Sequence, residues 1–513
     1  MLWELLIISK DCLTIVFFIL SAPYLILISV YKKFFLEFLG FKLFWFLIML
    51  NTFLYILLVM NENIDSITGN PKKAINRLAF PTIFSMLLMF VNNLIDSFWV
   101  SGLNVDALAA LGFISPLYLV IIGLGSGVGA GANSLISRYV GAERFGDANN
   151  AVMHSIILTL IVSFIVLIVG IFFLDDLIVL LGASGVSTYC LNYGQIIFLL
   201  NIVFLAPNVT ASIFRAEGDV ARATNPLILT AILNMIIDPV LIYALNMGIF
   251  GAGLATVIAS FAGYVWMLYW IFVKKDTFFK FSFSNYRRKL KIYEEILVVS
   301  LPAATEEIIF ALVAIILNFL IITTAGVSEV ASFTIAWRLI SIAFLPCMSI
   351  GIATITVSGV AYGARNWENF NETIKYSTVL SLAITVGICA IFYVFAFPIC
   401  ELFNLQAGNL ALVDRSASIL QIMVFYNILI PLGATAAYTY QGVGSGFKSL
   451  GLTVLRELVL SMIFAYLMGI TLNMGVYGVY LGAIIGMNLG SIIGFVFIWI
   501  FNLKFKKECV GDD

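Results

Sequence analysis

The chain has 513 residues, of which 62% are hydrophobic and 11% are charged, and its net charge is −1. Because soluble domains carry about 25% charged residues, this composition excludes a soluble domain and predicts an all-α polytopic membrane protein. Because the net charge is near zero, the protein has no overall positive electrostatic potential that would attract nucleic acid, so nucleic acid is excluded as a partner.

Residues 1–65 form an N-terminal extension with two apolar segments, at about 12–31 and 41–60. The extension lacks the charged start and small-residue cleavage site of a secretory signal, so we expect no cleavable signal peptide. If it crosses the bilayer twice, Lys32, Lys33 and Lys42 lie outside, against the positive-inside rule. Either one segment does not span, or contacts with the core hold the extension, or Met60 is the true start of the protein.

Twelve further apolar runs follow, each about 20 or more residues long, which is the length that a bilayer requires. They lie near 77–101, 112–138, 151–174, 190–214, 223–245, 250–273, 296–324, 334–361, 373–398, 416–441, 448–471 and 477–502. The longest polar gap, 274–295, predicts a linker between an N-lobe of six helices (66–273) and a C-lobe of six (296–502), with a tail at 503–513. Basic residues concentrate in alternate gaps, which predicts a multi-pass protein of the cell membrane whose core termini and linker are cytoplasmic.

Matching segments recur in the two halves, in the same order and at offsets of 221–227 residues. Residues 246–254 (NMGIFGAGL) match 473–481 (NMGVYGVYL), and Pro81 matches Pro302. Since each half contains an even number of spans, the repeat is predicted to be parallel, with a site between or within the two bundles.

Two acidic residues, Asp96 and Asp238, lie inside apolar runs, where each costs about 2.5–3.5 kcal/mol at the centre of a membrane helix. Such residues usually serve function. Asn234 shares a helix face with Asp238, and Thr256 lies on the sixth helix, so all four are candidate cation- or proton-coupling residues. Their oxygens suit a dehydrated Na⁺, and buried carboxylates equally hold a proton, so both coupling ions stay open. A static polar core is the alternative.

Residues near these acids are candidates for a substrate cavity. Asn93 lies one turn before Asp96, and Trp99 lies one turn after it. Trp99 and Tyr193 predict an aromatic wall for organic cations. Pro239 removes a backbone hydrogen bond from the fifth helix and predicts a hinge there.

Other charged residues lie near the predicted ends of helices. Glu217, at the end of the fourth helix, is a further cavity candidate, with a loop ion pair or helix cap as the alternative. Glu306 and Glu307 follow Pro302 and face either a water-filled cavity or the interface. Arg456 and Glu457, in the eleventh helix, are predicted to be structural.

Several features argue against catalysis and against a cofactor or a metal site other than one for Na⁺. The six cysteines lack paired spacing, and His154 is the only histidine, so neither a metal cluster nor a nucleophile with its base is supplied. Gly123, Gly127 and Gly131 recur at GxxxG spacing, which predicts close helix packing and not a phosphate loop.

Five segments resemble the multidrug and toxic compound extrusion (MATE) family, and its DinF-like bacterial and archaeal members most closely, over about residues 66–502. They are 78–81 (LAFP), 93–102 (NLIDSFWVSG), 107–112 (ALAALG), 137–142 (SRYVGA) and 441–444 (QGVG). The resemblance implies a twelve-helix, two-lobed, V-shaped antiporter that exports organic, often cationic compounds against inward proton or sodium flow.

The N-lobe site of those relatives maps onto Asp96, Asn234, Asp238 and Thr256. The resemblance also matches Tyr193 and Glu217 to family positions, whereas Ala211 replaces a family asparagine. The acids of other branches, in the seventh and tenth helices, have no clear match, so N-lobe coupling is expected.

We therefore expect a monomer in the lipid bilayer that exports small organic substrates by alternating access. A cation bound by Asp96 and Asp238 bends the helix at Pro239 and displaces the substrate. One alternative is a lipid-linked oligosaccharide flippase, which needs a larger and more basic cavity. Another is a membrane scaffold or receptor, which predicts no ion-dependent flux.

Overall fold

The structure is a computed structural model that describes residues 64–281, 286–403 and 410–511. Contacts divide the chain into Met1–Asn61 and Glu62–Asp513, and all described residues belong to the second unit. The two apolar segments of the N-terminal extension and Met60 lie outside the described residues, so their predictions stay predictions.

The described residues form helices and no strands, and contain twelve spans, α1 to α12, if each bent pair of helices counts as one. Those of the first half are α1 Pro71–Ser101, α2 Val105–Gly141, α3 Phe145–Leu180, α4 Ser184–Leu199 with Ile202–Glu217, α5 Val220–Ala244 and α6 Gly248–Lys274. Those of the second half are α7 Leu290–Ala325, α8 Val327–Gly363, α9 Trp367–Val394, α10 Leu412–Asn427 with Ile430–Gly442, α11 Gly446–Thr471 and α12 Gly475–Val510. Short helices at Asp65–Thr68 and Ala396–Phe403 lie outside these spans. The predicted all-α polytopic fold is confirmed.

Several helices extend beyond the apolar runs that predicted them. The α2 helix covers 37 residues, or roughly 55 Å at 1.5 Å per residue, against about 30 Å of hydrocarbon. Polar caps outside the apolar run set its start, because Asn104 accepts the Ala107 N–H at 2.7 Å. Asn70 caps α1 in the same way, by accepting the Lys72 N–H at 3.0 Å. Hydropathy therefore located the spans but not their ends.

The internal repeat extends to the backbone of the turns. Matched residues adopt the same left-handed conformation in both halves: Glu143 and Arg365, Gly218 and Gly444, Asn246 and Asn473, and Gly248 and Gly475. A positive φ is uncommon for residues other than glycine, so its recurrence at matched non-glycine positions is specific. The repeat is a repeat of structure as well as of sequence.

The α4 and α10 spans are broken at matched positions, with bends of 46° and 45°. Asn201, at the break in α4, donates its amide to the Ser163 carbonyl of α3 at 3.1 Å. Asn427, at the break in α10, donates to the Ile340 carbonyl of α8 at 2.8 Å. An amide at each break thus ties the bend to a neighbouring helix.

The glycines of α2 allow it to pack closely against α7 of the other half. A Cβ on Gly127 would lie 2.6 Å from the Ser300 carbonyl oxygen, and one on Gly131 would lie 2.5 Å from that of Ile296. Any side chain there would clash with backbone, so the predicted close-packing role of these glycines is confirmed.

Candidate functional site

A buried chain of amides and carboxylates joins α1 to α5. The amide of Asn92 donates to the side-chain oxygen of Asn234 at 2.8 Å. Asn234 in turn donates to one oxygen of Asp238 at 2.9 Å. Asp96 lies one turn after Asn92 and is also buried. Each helix contributes two polar residues at a spacing of four, so both pairs face the contact between the helices.

Three oxygens of this group are buried and have no hydrogen-bond partner among the described residues. They are Oδ1 of Asn92, Oδ1 of Asp96 and Oδ2 of Asp238. The two carboxylates lie near enough to interact electrostatically. Buried polar atoms in proteins are nearly always paired, and each of these oxygens is an acceptor. The group is therefore chemically suited to take up a proton or an oxygen-coordinated cation.

Tyr193 and Thr256 border the two acids. Tyr193 is buried on α4 and interacts electrostatically with Asp96 and Asp238 and through a side-chain hydrogen bond with Thr256. Thr256 is half-buried and donates its hydroxyl to the Ala252 carbonyl at 3.0 Å, so its oxygen can still accept or coordinate. The structure thus brings together all four predicted coupling residues and Tyr193.

The segment that follows Pro239 contacts the end of α1. The α-helical part of α5 ends at Pro239, and a π-helical turn continues from Val240 to Ala244. Tyr243 in this turn donates its hydroxyl to the Trp99 carbonyl, and the two rings pack edge to face at 6.1 Å between centroids. Trp99 is half-buried. Movement at Pro239, which stays a prediction, would therefore be transmitted to the end of α1.

Asn93 does not belong to the buried group, although it was a candidate for the cavity. Its side chain is exposed and donates to the Met89 carbonyl of its own helix at 2.9 Å. The buried amide is that of its neighbour Asn92. Sequence reasoning missed Asn92 although it lies four residues before Asp96, the same spacing that identified Asn234 beside Asp238.

Glu217 has its polar contacts with the linker, and none of them is with the buried group. It is 3% exposed, and its carboxylate accepts the backbone N–H groups of Phe278 and Phe279 at 3.3 and 3.2 Å. One buried carboxylate thus accepts hydrogen bonds from two backbone N–H groups of the linker. The predicted loop or capping role describes these contacts better than the predicted cavity role.

The second half contains its own charged group, in which Glu306 and Glu457 have partners and Glu307 is exposed. Glu306 accepts from Ser449 at 2.7 Å and from Gln441 at 3.1 Å, one bond to each carboxylate oxygen. Glu457 pairs with Arg456 at 2.5 Å, and both are buried. These acids therefore lack the unpartnered oxygens of the first half. Within the described residues, no three His, Cys, Asp or Glu side chains are grouped as a metal site.

Comparison with known proteins places this chain among membrane transporters. The MatE family model matches the chain twice, at residues 81–240 and 302–467, once in each half. The chain is 24% identical over 379 residues to the multidrug export protein MepA of Staphylococcus haemolyticus, covering 73% of this chain and 82% of that protein. It is also 24% identical over 433 residues to the probable multidrug resistance protein YoeA of Bacillus subtilis, covering 82% and 92%. A crystal structure of MATE in complex with MaL6 superposes with a TM-score of 0.85 at 32% identity, covering 87% of this chain and all of that one.

Proposed function

This chain belongs to the MatE family, and on that premise we propose that it is a cation-coupled antiporter that exports organic, cationic or amphipathic drugs and toxic compounds by alternating access. The relatives named as a multidrug export protein and a probable multidrug resistance protein support drug efflux as its general activity. Proteins of this family are transporters and not enzymes. The coupling ion, a proton or Na⁺, is part of the proposal.

The observation that carries the proposal is the set of unpartnered oxygens between α1 and α5. A static polar core would satisfy these acceptors, as Ser449 and Gln441 satisfy Glu306. Unpaired acceptors on two interacting carboxylates favour a site that binds and releases a cation during each transport cycle.

Cation binding at this site changes the force between α1 and α5. Without a cation, the charges of Asp96 and Asp238 repel each other in a medium of low dielectric constant. A bound proton or Na⁺ removes the repulsion and draws the two helices together. The π-helical turn after Pro239 touches Trp99, so this movement displaces the predicted aromatic wall at Trp99 and weakens substrate binding.

The membrane potential and the cation gradient supply the free energy. One elementary charge that crosses 100 mV releases roughly 2.3 kcal/mol, which sustains about a 50-fold gradient of an uncharged substrate, whereas one-for-one exchange with a monovalent organic cation draws on the cation gradient alone. In the proposed cycle the cation enters from outside, displaces substrate, and leaves on the cytoplasmic side after the two halves have rocked. Substrate and cation therefore occupy the first half alternately.

The flippase alternative is not favoured. A flippase for lipid-linked oligosaccharides needs a large basic central cavity, within the membrane-spanning part, for its diphosphate. The group between α1 and α5 holds two acids and no base, and the buried Arg456 of the second half is paired with Glu457.

Transport in proteoliposomes tests the proposal and identifies the ion. Purified protein is reconstituted, and export of a fluorescent organic cation is followed under an imposed proton gradient or an imposed Na⁺ gradient. One of the two gradients is expected to drive export by wild type. Asp96→Asn and Asp238→Asn are expected to reduce it at least tenfold, while Asp176→Asn, an exposed acid of α3, leaves it unchanged. Equal export by wild type and the two site variants would overturn the proposal.

A further inference from the structure

A cavity of about 710 Å³ lies where the two halves meet at the linker end of the molecule. Its walls come from the ends of α2, α3, α8 and α12, the end of the linker and the first turn of α7. The backbones of α2 and α8 touch beside it, because a Cβ on Gly363, which lines the cavity, would lie 2.1 Å from the Arg138 carbonyl, and one on Gly141 would lie 2.0 Å from that of Val360. The cavity thus sits directly on a backbone contact between the halves.

Basic side chains outnumber acidic ones in the lining. The five basic residues are Arg138, Arg144, Lys289, Lys291 and Arg365, and the three acidic residues are Asp147, Glu295 and Glu508. The first half, the linker and the second half each contribute at least one basic residue.

The acids do not neutralise these bases. Asp147 is shared between Arg144 at 2.6 Å and Lys289 at 3.1 Å. Glu295 reaches Arg138 only at 3.9 Å. Lys291 and Arg365 form no ion pair with any described residue.

Arg138 is held in a defined position, and Arg365 lies on a turn with a defined backbone conformation. The guanidinium of Arg138 lies against Gly444, where a Cβ would be 2.7 Å from its Cζ, and its Nε donates to the Ser134 carbonyl at 3.3 Å. Arg365 has a φ of +53°, a conformation that costs energy for a residue with a side chain. Its repeat counterpart Glu143, at +57°, does not line the cavity. The two halves therefore share the turn but place opposite charges on it.

We propose that this cavity binds a phosphate-bearing anion, which ties the two halves together at the linker end. Planar guanidinium groups match phosphate oxygens in pairs, and charge-assisted hydrogen bonds are stronger than neutral ones. A volume of about 710 Å³ is suited to a small phosphorylated molecule or to a phospholipid headgroup. By linkage, such an anion stabilises the arrangement in which all five bases line one cavity and opposes separation of the halves at this end.

Binding by the full-length purified protein tests the inference without any transport assay. Pyrophosphate is the probe for a free anion, titrated calorimetrically in detergent at fixed ionic strength. Retention of phosphatidylglycerol against phosphatidylcholine, measured by native mass spectrometry, is the probe for a headgroup. The test variant is Lys291→Gln with Arg365→Gln, and the control is Lys504→Gln, an exposed base of α12 outside the cavity.

One pyrophosphate is expected per wild-type chain, with affinity at least tenfold lower in the test variant and unchanged in the control. If only phosphatidylglycerol retention falls in the test variant, the site is a headgroup site, which also supports the inference. If neither probe distinguishes the test variant from the control, the inference is overturned. Thermal unfolding without anion shows that both variants are folded, and Lys291→Gln alone replaces the pair if Arg365→Gln unfolds.

Discussion

The Asn92 amide joins the two helices that carry the buried acids, since it donates to Asn234 while its own oxygen stays unpartnered. Asp96 and Asp238 were predictable from sequence because a charge inside an apolar run is costly and easily seen. Asn92 and Asn93 lie four and three residues before Asp96, and both spacings place a residue near the same helix face. Only the packing of α1 against α5 decides which asparagine is buried.

Replacement of Asn92 by alanine is expected to reduce export at least tenfold. It leaves the Asn234 oxygen buried without its donor, at a cost of about 1–3 kcal/mol, and so disturbs the contact with Asp238. The matched control is Asn93→Ala, because Asn93 is exposed and bonds only to its own helix. Export rates of a fluorescent cation from proteoliposomes compare the two, and equal rates would contradict the assignment.

The contacts of Glu217 with the linker could not be predicted from the sequence. The sequence predicted its position at the end of α4. Its partners, however, are backbone N–H groups of the linker, which lie 61 and 62 residues away in the chain. No periodicity or spacing rule predicts a contact of this kind, because it depends on how the linker folds back.

Loss of the Glu217 carboxylate is therefore expected to loosen the linker. Glu217→Ala leaves two backbone donors without an acceptor, so trypsin is expected to cleave after Lys280 and Arg287 several-fold faster than in wild type. Glu294→Ala, an exposed acid of α7, is the control and should cleave at the wild-type rate. Unchanged cleavage of Glu217→Ala would show that other contacts hold the linker.

At the scale of elements, the number of spans and the glycine face of α2 were predictable, and the bends were not. Apolar length and GxxxG spacing are local properties of a sequence. The breaks in α4 and α10 depend on carbonyl acceptors in other helices, at Ser163 and Ile340. The apolar runs continue through both breaks, so hydropathy predicts straight helices there.

The close contact of α2 with α7 predicts different effects on stability for two glycine substitutions in the same helix. Gly127→Ala places a Cβ 2.6 Å from the Ser300 carbonyl and is expected to destabilise the protein by about 1–3 kcal/mol. Gly112→Ala meets no atom within 4 Å and is expected to be neutral or slightly stabilising. Thermal unfolding in detergent measures both, and similar midpoints would argue against tight packing at Gly127.

Across the whole molecule, the two halves share a backbone and differ in polar chemistry. Matched turns adopt the same left-handed conformation in both halves. The first half keeps unpartnered acceptors at Asp96 and Asp238, whereas Glu306 in the second half is satisfied by Ser449 and Gln441. A duplicated fold of this kind allows one half to keep the proposed ion chemistry while the other packs against it.

This asymmetry predicts that removing the charge of an acidic side chain reduces export by different amounts in the two halves. Glu306→Gln keeps an oxygen that accepts from Ser449, and its amide can donate to Gln441 once the Gln441 amide turns to present its oxygen, so it is expected to retain at least half of wild-type export. Asp238→Asn removes a charge from the proposed coupling site and is expected to lose at least nine-tenths. Export rates of the two variants in proteoliposomes measure the difference. A larger loss of export in Glu306→Gln than in Asp238→Asn would indicate that the coupling site lies in the second half.

The central claim, that cation and substrate exchange at the group between α1 and α5, is tested most directly by cation release on substrate binding. An organic cation such as ethidium is added to purified protein in weakly buffered detergent, and released protons or ²²Na⁺ are counted. The account predicts release of about one cation per bound substrate by wild type and by Asp176→Asn, and none by Asp238→Asn. Substrate binding without release in wild type, or equal release by Asp238→Asn, would contradict it.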